Sequence, residues 1–207
     1  MSQITHGIRS ILSHPSVYDF TQSVLGAGRS RKKLVRDYIR AKPGDILLDI
    51  GCGTAELIPY LPADIEYVGF DLSSQYIEAA RRRYGTRARF KCMDIAQFND
   101  TLIKDGADIV LAIGILHHLD DEPALALIRT AWSKLKPGGR LVTLDGTLTG
   151  TQSRMARHII LRDRGQNIRT PAGYRELAEQ EFSSVRATVR EDMLFVPYTH
   201  CILECTR

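Results

Sequence analysis

No hydrophobic run in this chain is long enough to cross a bilayer. The longest, Ile109 to Leu116, falls well short of the roughly 20 apolar residues a spanning helix needs and reads as a buried strand with the loop after it. The first residues carry His6, Arg9 and His14 with no continuous apolar stretch, so no signal peptide is expected there. Cysteine is scarce as well. Cys52, Cys92, Cys201 and Cys205 include no C-x-x-C pair, which predicts reduced, buried thiols in a cytoplasmic protein. Charge of one sign is not in excess: the net +4 is modest, and its most compact source, Arg81-Arg82-Arg83, falls where a helix beginning near Ser73 should end. Cations there oppose the negative end of the helix dipole and need no nucleic acid to explain them. Repeats, low-complexity segments and a phosphate-loop lysine are all missing. What remains is 207 residues, 43% of them hydrophobic, enough for one domain with a sizeable core.

The stretch Leu47-Leu48-Asp49-Ile50-Gly51-Cys52-Gly53-Thr54-Ala55-Glu56 organises that core. Apolar Ile46, Leu47, Leu48 and Ile50 suit a strand covered on both faces. Gly51 and Gly53 allow a tight turn and a close backbone approach by a ligand, and a helix is expected from Thr54 to Leu61. A dinucleotide fingerprint would place a small residue where Glu56 stands. A carboxylate there repels a pyrophosphate but suits a ligand carrying a sulfonium and an ammonium. Ile65 to Phe70 reads as a second strand ending at Asp71, about twenty residues further on, where an acid can accept both hydroxyls of a ribose.

With LLDIGCGTAE and VGFDLS followed in order by KCMDI, IGILHHLDD and LKPGGRLVTLDG, the chain resembles the class I S-adenosylmethionine-dependent methyltransferases from about Arg40 to Gly146. Ala55 departs from the third glycine common in that family. The alternation of apolar strands with helices (strands 46–50, 65–70, 87–92, 108–113 and 140–144; helices 73–84 and 122–135) implies an α/β, Rossmann-like, doubly wound sheet with ligands at the carboxyl ends of its strands. Two further strands, 185–190 and 197–205, lack a helix between them, as in the antiparallel hairpin that closes the seven-stranded sheet of the family. The expected division is an N-terminal helical cap over 1–40, a cofactor-binding core over 41–146, a lid and substrate segment over 147–183 and the hairpin over 184–207. Within the cap, Ser16–Leu25 and Ser30–Ile39 have helical spacing, with Gly26 and Gly28 breaking the chain between them.

The resemblance implies S-adenosylmethionine as cofactor and S-adenosylhomocysteine as product, and it assigns residues. Asp49 would hold the methionine ammonium directly or through water. Gly51, Cys52 and Gly53 would form the turn under the cofactor, with Asp71 and Leu72 at the ribose and Asp94 and Ile95 at the adenine. Ile113 and Gly114 would offer carbonyls to the ammonium, Tyr18 would lie over the methyl donor, and Arg29 or Arg31 would meet the methionine carboxylate. Asp49, Glu56, Asp71 and Asp94 together would make a negative rim suited to a cationic cofactor.

An activated methyl donor asks the protein only to align the acceptor, exclude water and remove a proton. His117 and His118 follow the fourth strand at the catalytic edge and are base candidates because imidazole titrates near neutral pH, while Asp145, ending the fifth strand, is placed to orient a histidine or touch substrate. No third and fourth ligand accompanies the histidines, so no metal is expected. Gln152–Arg164 reads as a helical lid whose apolar side is Met155, Ala156, Ile159 and Ile160. Arg154, Arg157, His158, Arg162, Arg164 and the following Arg169 are its cationic side, matched to a carboxylate or phosphate on the acceptor. Tyr174, Tyr198 and His200 are further candidates to line the cavity. These features favour methyl transfer to an O, N or C nucleophile of a small molecule, an anionic one being matched by the lid arginines. Transfer to RNA or protein is one alternative, although no Asn/Asp-Pro-Pro-Tyr/Phe motif or appended nucleic-acid domain is present, and a non-catalytic cofactor-binding module is the other.

Overall fold

The computed structural model describes residues 27–94, 103, 105–162 and 165–207. Tyr18, Ile95 and the candidate helix Ser16–Leu25 lie outside the described residues. One seven-stranded sheet runs in the order β3-β2-β1-β4-β5-β7-β6, with β1 Ile46–Ile50, β2 Glu66–Asp71, β3 Ala88–Cys92, β4 Ala107–Ile113, β5 Leu135–Gly146, β6 Ser184–Arg190 and β7 His200–Thr206. The first five strands pair in parallel, and β7 inserts antiparallel to both β5 and β6. β1 and β4 lie side by side while the chain passes from one to the other through the β2–β3 half. Their carboxyl ends form the point where the winding direction reverses and where such sheets open a crevice.

Alternate residues of each strand supply two cores. Leu48, Ile50, Val110, Ala112, Leu141 and Leu203 face one layer, with helices α3 (Asp121–Lys134) and α5 (Pro171–Ala178) behind them. Leu47, Ile109, Leu111, Val142 and Ile202 face the other layer, with α1 (Ala27–Leu34) and α2 (Ser74–Tyr84) against them. Burial on both faces explains why β4 reads as an unbroken apolar run, and each such Leu, Ile or Val contributes roughly 1.5–3 kcal/mol. On the same two-residue period Asp145 shares the face of Cys201, its register partner on β7. Asp49 shares the opposite face with Tyr67.

Several local expectations change. The helix anticipated over 54–61 is a series of turns followed by a 3-10 turn at Ile58–Tyr60. Gly51, Gly53 and Ala55 all take left-handed backbone angles (φ 68°, 54° and 60°), and alternating residues of that kind prevent α-helical hydrogen bonding from starting. Gly28 lies inside α1 instead of breaking it, and the helix continues as a π-helical segment, Val35–Ile39, closed by Arg40 at φ 47°. β5 begins at Leu135 and carries Pro137-Gly138-Gly139 within it, across a register shift opposite Ala107–Ile109. β7 starts at His200, not at 197. α2 is capped as its sequence suggests: Ser73 Oγ accepts from Tyr76 N, and Arg81, Arg82 and Arg83 occupy the last turn.

Candidate active site

At the end of β2, Asp71 accepts from the N–H groups of Gly53 (3.0 Å) and Ser73 (2.8 Å). These bonds tie the glycine turn to the neighbouring strand and fix the carboxylate in place. Burial pushes this carboxyl up, while the N–H groups of Ser73, Gly53 and Leu72 oppose the rise. Asp49 is buried in β1 and accepts a hydrogen bond from the Tyr67 hydroxyl. Its carboxyl is lifted to about 7, mainly by burial; the Tyr67 bond works against the shift and the charge of Asp71 adds to it. A Cβ added at Gly53 would meet no atom within 4 Å, so the backbone there is open to a ligand. At Gly51 the corresponding space is filled by Ile115, whose Cδ1 stands 1.9 Å from where a Cβ would be. Cys52 packs its sulfur against Gly69, and burial drives its thiol well above the usual range, so it is not a thiolate nucleophile.

Directly after Ile115 the chain makes a 3-10 turn, Leu116–His118. His117, 6% exposed, sets Nδ1 at 2.8 Å from Asp145 Oδ1, and the same oxygen accepts from the His117 N–H at 3.2 Å. Asp145 is 1% exposed, and its Oδ2 has no hydrogen-bond partner among the described residues. The His118 ring lies 4.1 Å from that of His117, tilted by 40°. Gly165 presses on the other side of His117: a Cβ there would fall 2.2 Å from Cδ2. Strand β4 thus delivers a histidine and strand β5 its carboxylate at adjacent carboxyl ends, beside the glycine turn of β1.

Residues 48–141 match a family model described as a methyltransferase domain. Over that stretch the chain is similar to methyltransferase domains. Among curated relatives, the O-methyltransferase cnsE of Penicillium expansum is 33% identical over 134 residues, 60% of this chain and 46% of that protein. A probable tRNA methyltransferase 9B of Homo sapiens is 31% identical over 110 residues, 52% of this chain and 23% of that protein. The chain spans less than half the length of the curated relatives it matches. Among solved structures, the plantazolicin methyltransferase BpumL, in complex with a triazolic desmethylPZN analog and SAH, superposes with a TM-score of 0.70 at 16% identity over 96% of this chain and 91% of that one. At that identity the likeness speaks for the fold.

Around this core, other expected site residues fall in varied places. Leu72 is 49% exposed at the end of β2, and Asp94 is half-buried two residues beyond β3. Ile113 ends β4, and Gly114, at φ 72°, donates its N–H to Leu144 O. Glu56 does not join a negative rim, because Arg83 forms an ion pair with it. Arg29 is exposed, with its guanidinium 5.9 Å from the Phe195 ring centroid. In the lid, Ser153 caps helix α4 (Arg154–Ile160) and Ala156 and Ile160 are buried, but Met155 is 64% exposed and not on the packed side. Arg169 is not a free cation of the lid: its guanidinium is bonded to Asp121 and to main-chain carbonyls. Tyr174 sits in the core and donates to Gly146 O, so it lines no cavity. Cys201 and Cys205 are buried, with thiols pushed up to about 12 chiefly by burial, whereas Cys92 is exposed.

Sequence reasoning passed over Tyr67, Ile115 and Gly165, and it did not read α5 as a helix although it named Tyr174 within it. Only α5 carried a local signal, Thr170 as N-cap before Pro171 at the first helical position. A cleft of about 410 Å³ lies at the opposite edge of the sheet, between Arg40, Asp108 and the Pro137–Arg140 turn. Its charges are largely neutralised by the pairs Arg40–Glu204 and Lys136–Asp108, and it is remote from the histidine. No helix among the described residues is long and apolar enough to cross a membrane.

Proposed function

We propose that this chain is an S-adenosylmethionine-dependent methyltransferase acting on a small molecule, with His117 as general base and Asp145 as the carboxylate that orients it. The observation that carries the reading is the 2.8 Å contact between His117 Nδ1 and Asp145 Oδ1 at the carboxyl ends of β4 and β5. The residues around the glycine turn suit the cofactor. Gly53 leaves an open cradle, Asp71 is held ready for a diol, and Asp49 is a buried carboxylate matched to a cationic group. Asp94, Ile113, Gly114, Leu72 and Arg29 complete the proposed cofactor set. S-adenosylmethionine supplies the activated methyl when bound, and every other requirement falls to the chain.

With Nδ1 turned to Asp145, Nε2 is the nitrogen that receives the acceptor's proton, and Asp145 steadies the imidazolium that results. Burial of both groups strengthens that attraction relative to water. The base role goes to His117 because its ring is held by Asp145, and His118 stacks on it. Relatives of this chain are named for O-methylation and for tRNA, so the acceptor is proposed only as a small nucleophile.

The first test is calorimetry, in which S-adenosylhomocysteine binds and NADH does not. An acceptor search by S-adenosylhomocysteine release, with one arm containing tRNA, follows. For the acceptor found, activity rises with pH through the imidazole range in wild type. His117→Ala loses that limb and roughly 10²–10⁴-fold in rate, and Asp145→Asn loses rate while both variants keep cofactor affinity. Parallel pH profiles in all three proteins remove His117 from the mechanism.

A further inference from the structure

A 3-10 turn of three residues has little stability of its own, yet Leu116–His118 has to hold an imidazole in a fixed relation to a carboxylate on another strand. Arg169 supplies the missing constraint. A guanidinium has five N–H donors, and here each is used. Nη1 donates to Leu116 O at 2.9 Å and to Asn167 O at 3.2 Å. Nη2 donates to Leu119 O at 2.9 Å and to Asp121 Oδ1 at 2.6 Å, and Nε donates to that same oxygen at 3.1 Å. The side chain therefore grips the carbonyls on either side of His117 and His118. Its own carbonyl meanwhile accepts from Thr147 Oγ1 at 2.9 Å and from Leu148 N at 3.4 Å, just past Asp145 at the exit of β5. Between these two grips, Asn167 N donates to His117 O at 3.0 Å and Gly165 lies against the imidazole.

We infer that Arg169 is a positioning residue that sets the His117–Asp145 contact, its side chain holding the turn that carries the base and its backbone holding the strand exit that carries the acid. The inference rests on the proposed role of His117, but the geometry it describes exists whether or not His117 is the base. It also removes Arg169 from acceptor recognition, since no donor is left over for an anion. Among the described residues, the titratable and charged groups around the pair include Asp145, His118, Asp121, Tyr174, Cys201 and Arg169 itself. Asp145 is bonded to the His117 ring, Asp121 to Arg169, and Tyr174 and Cys201 feel the charge of Asp145.

The test follows the His117 ring signals by nuclear magnetic resonance through a pH titration of the intact chain. Arg169→Ala loosens the turn, weakens the Asp145 contact and lowers the His117 titration midpoint by about one pH unit, at the low end of what a neighbouring opposite charge contributes. Arg169→Lys, which keeps charge but loses the fork, gives a smaller shift in the same direction. Gly165→Ala leaves Arg169 intact yet places a methyl on the ring, and it displaces the midpoint too. Affinity for S-adenosylhomocysteine stays within about threefold in all of them, because the turn under the cofactor is untouched. An unchanged His117 titration in folded Arg169→Ala overturns the inference. If that variant does not fold, an unchanged titration in Arg169→Lys together with Gly165→Ala does so. A pH–rate limb that survives His117→Ala while the resonance shifts persist overturns the base assignment alone.

Discussion

Asp71 shows how one side chain does two jobs. Its two carboxylate oxygens each take a backbone N–H, one from the glycine turn and one from the start of α2, and each keeps a lone pair for a diol. Charge-assisted bonds contribute roughly 1.5–3 kcal/mol each. Asp71→Ala should therefore cost about 2–4 kcal/mol of cofactor binding, on the order of 30- to 1000-fold, in a calorimetric titration with S-adenosylhomocysteine. Asp71→Asn keeps one accepting oxygen and should lose less. Equal affinity in wild type and a folded Asp71→Ala protein would place the ribose elsewhere. Asp49, Asp71 and Asp145 were legible because each is a polar residue at or near the end of an apolar strand. Tyr67 and Arg169 were not, because their roles exist only across chain separations that a linear pattern does not encode: Tyr67 reaches Asp49 from the neighbouring strand, and Arg169 reaches back to the 116–121 segment.

At the scale of elements, strands and the capped helix α2 were read closely from apolar runs and cap chemistry, whereas the glycine turn was misread as a helix start. The reason is Ala55, a residue with high helix propensity held at φ 60° and 1% exposed. Tertiary packing of the turn overrides its propensity. A left-handed conformation costs a non-glycine residue roughly 1–2 kcal/mol, and Ala55→Gly exchanges that cost for a similar loss of chain entropy. Urea denaturation should place Ala55→Gly within about 1 kcal/mol of wild type. Ala55→Val adds a β-branch at a positive φ in a buried site, and should lose at least about 2 kcal/mol. A valine variant as stable as wild type would mean the turn has another conformation. α5 was passed over for a different reason: its Thr-Pro start was visible, but it lies in a segment interpreted by its arginines and not by its caps.

For the whole molecule, the buried Asp49 makes stability depend on pH in an uncommon direction for a carboxylate. Its folded value of about 7 lies above the ordinary 3.8, so the folded state holds a proton that the unfolded chain releases. The associated stability is complete below about pH 4 and is lost as pH rises through 7. That separation corresponds to roughly 4 kcal/mol at most. Urea midpoints of the cofactor-free protein at pH 5 and pH 8 should show Asp49→Asn gaining on wild type as pH rises. A difference that is the same at both values would show that Asp49 is ionised throughout. The sheet order carries a different consequence, one of time. Residues 147–199 separate β5 from the strand that pairs with its outer edge. A ribosome emits the five parallel strands first, so a half-made chain presents β5 as an open edge with unpaired amides and carbonyls, the form most prone to pairing with a stranger. Until β7 slides in, the nascent chain is exposed to aggregation at the very strand that carries Asp145.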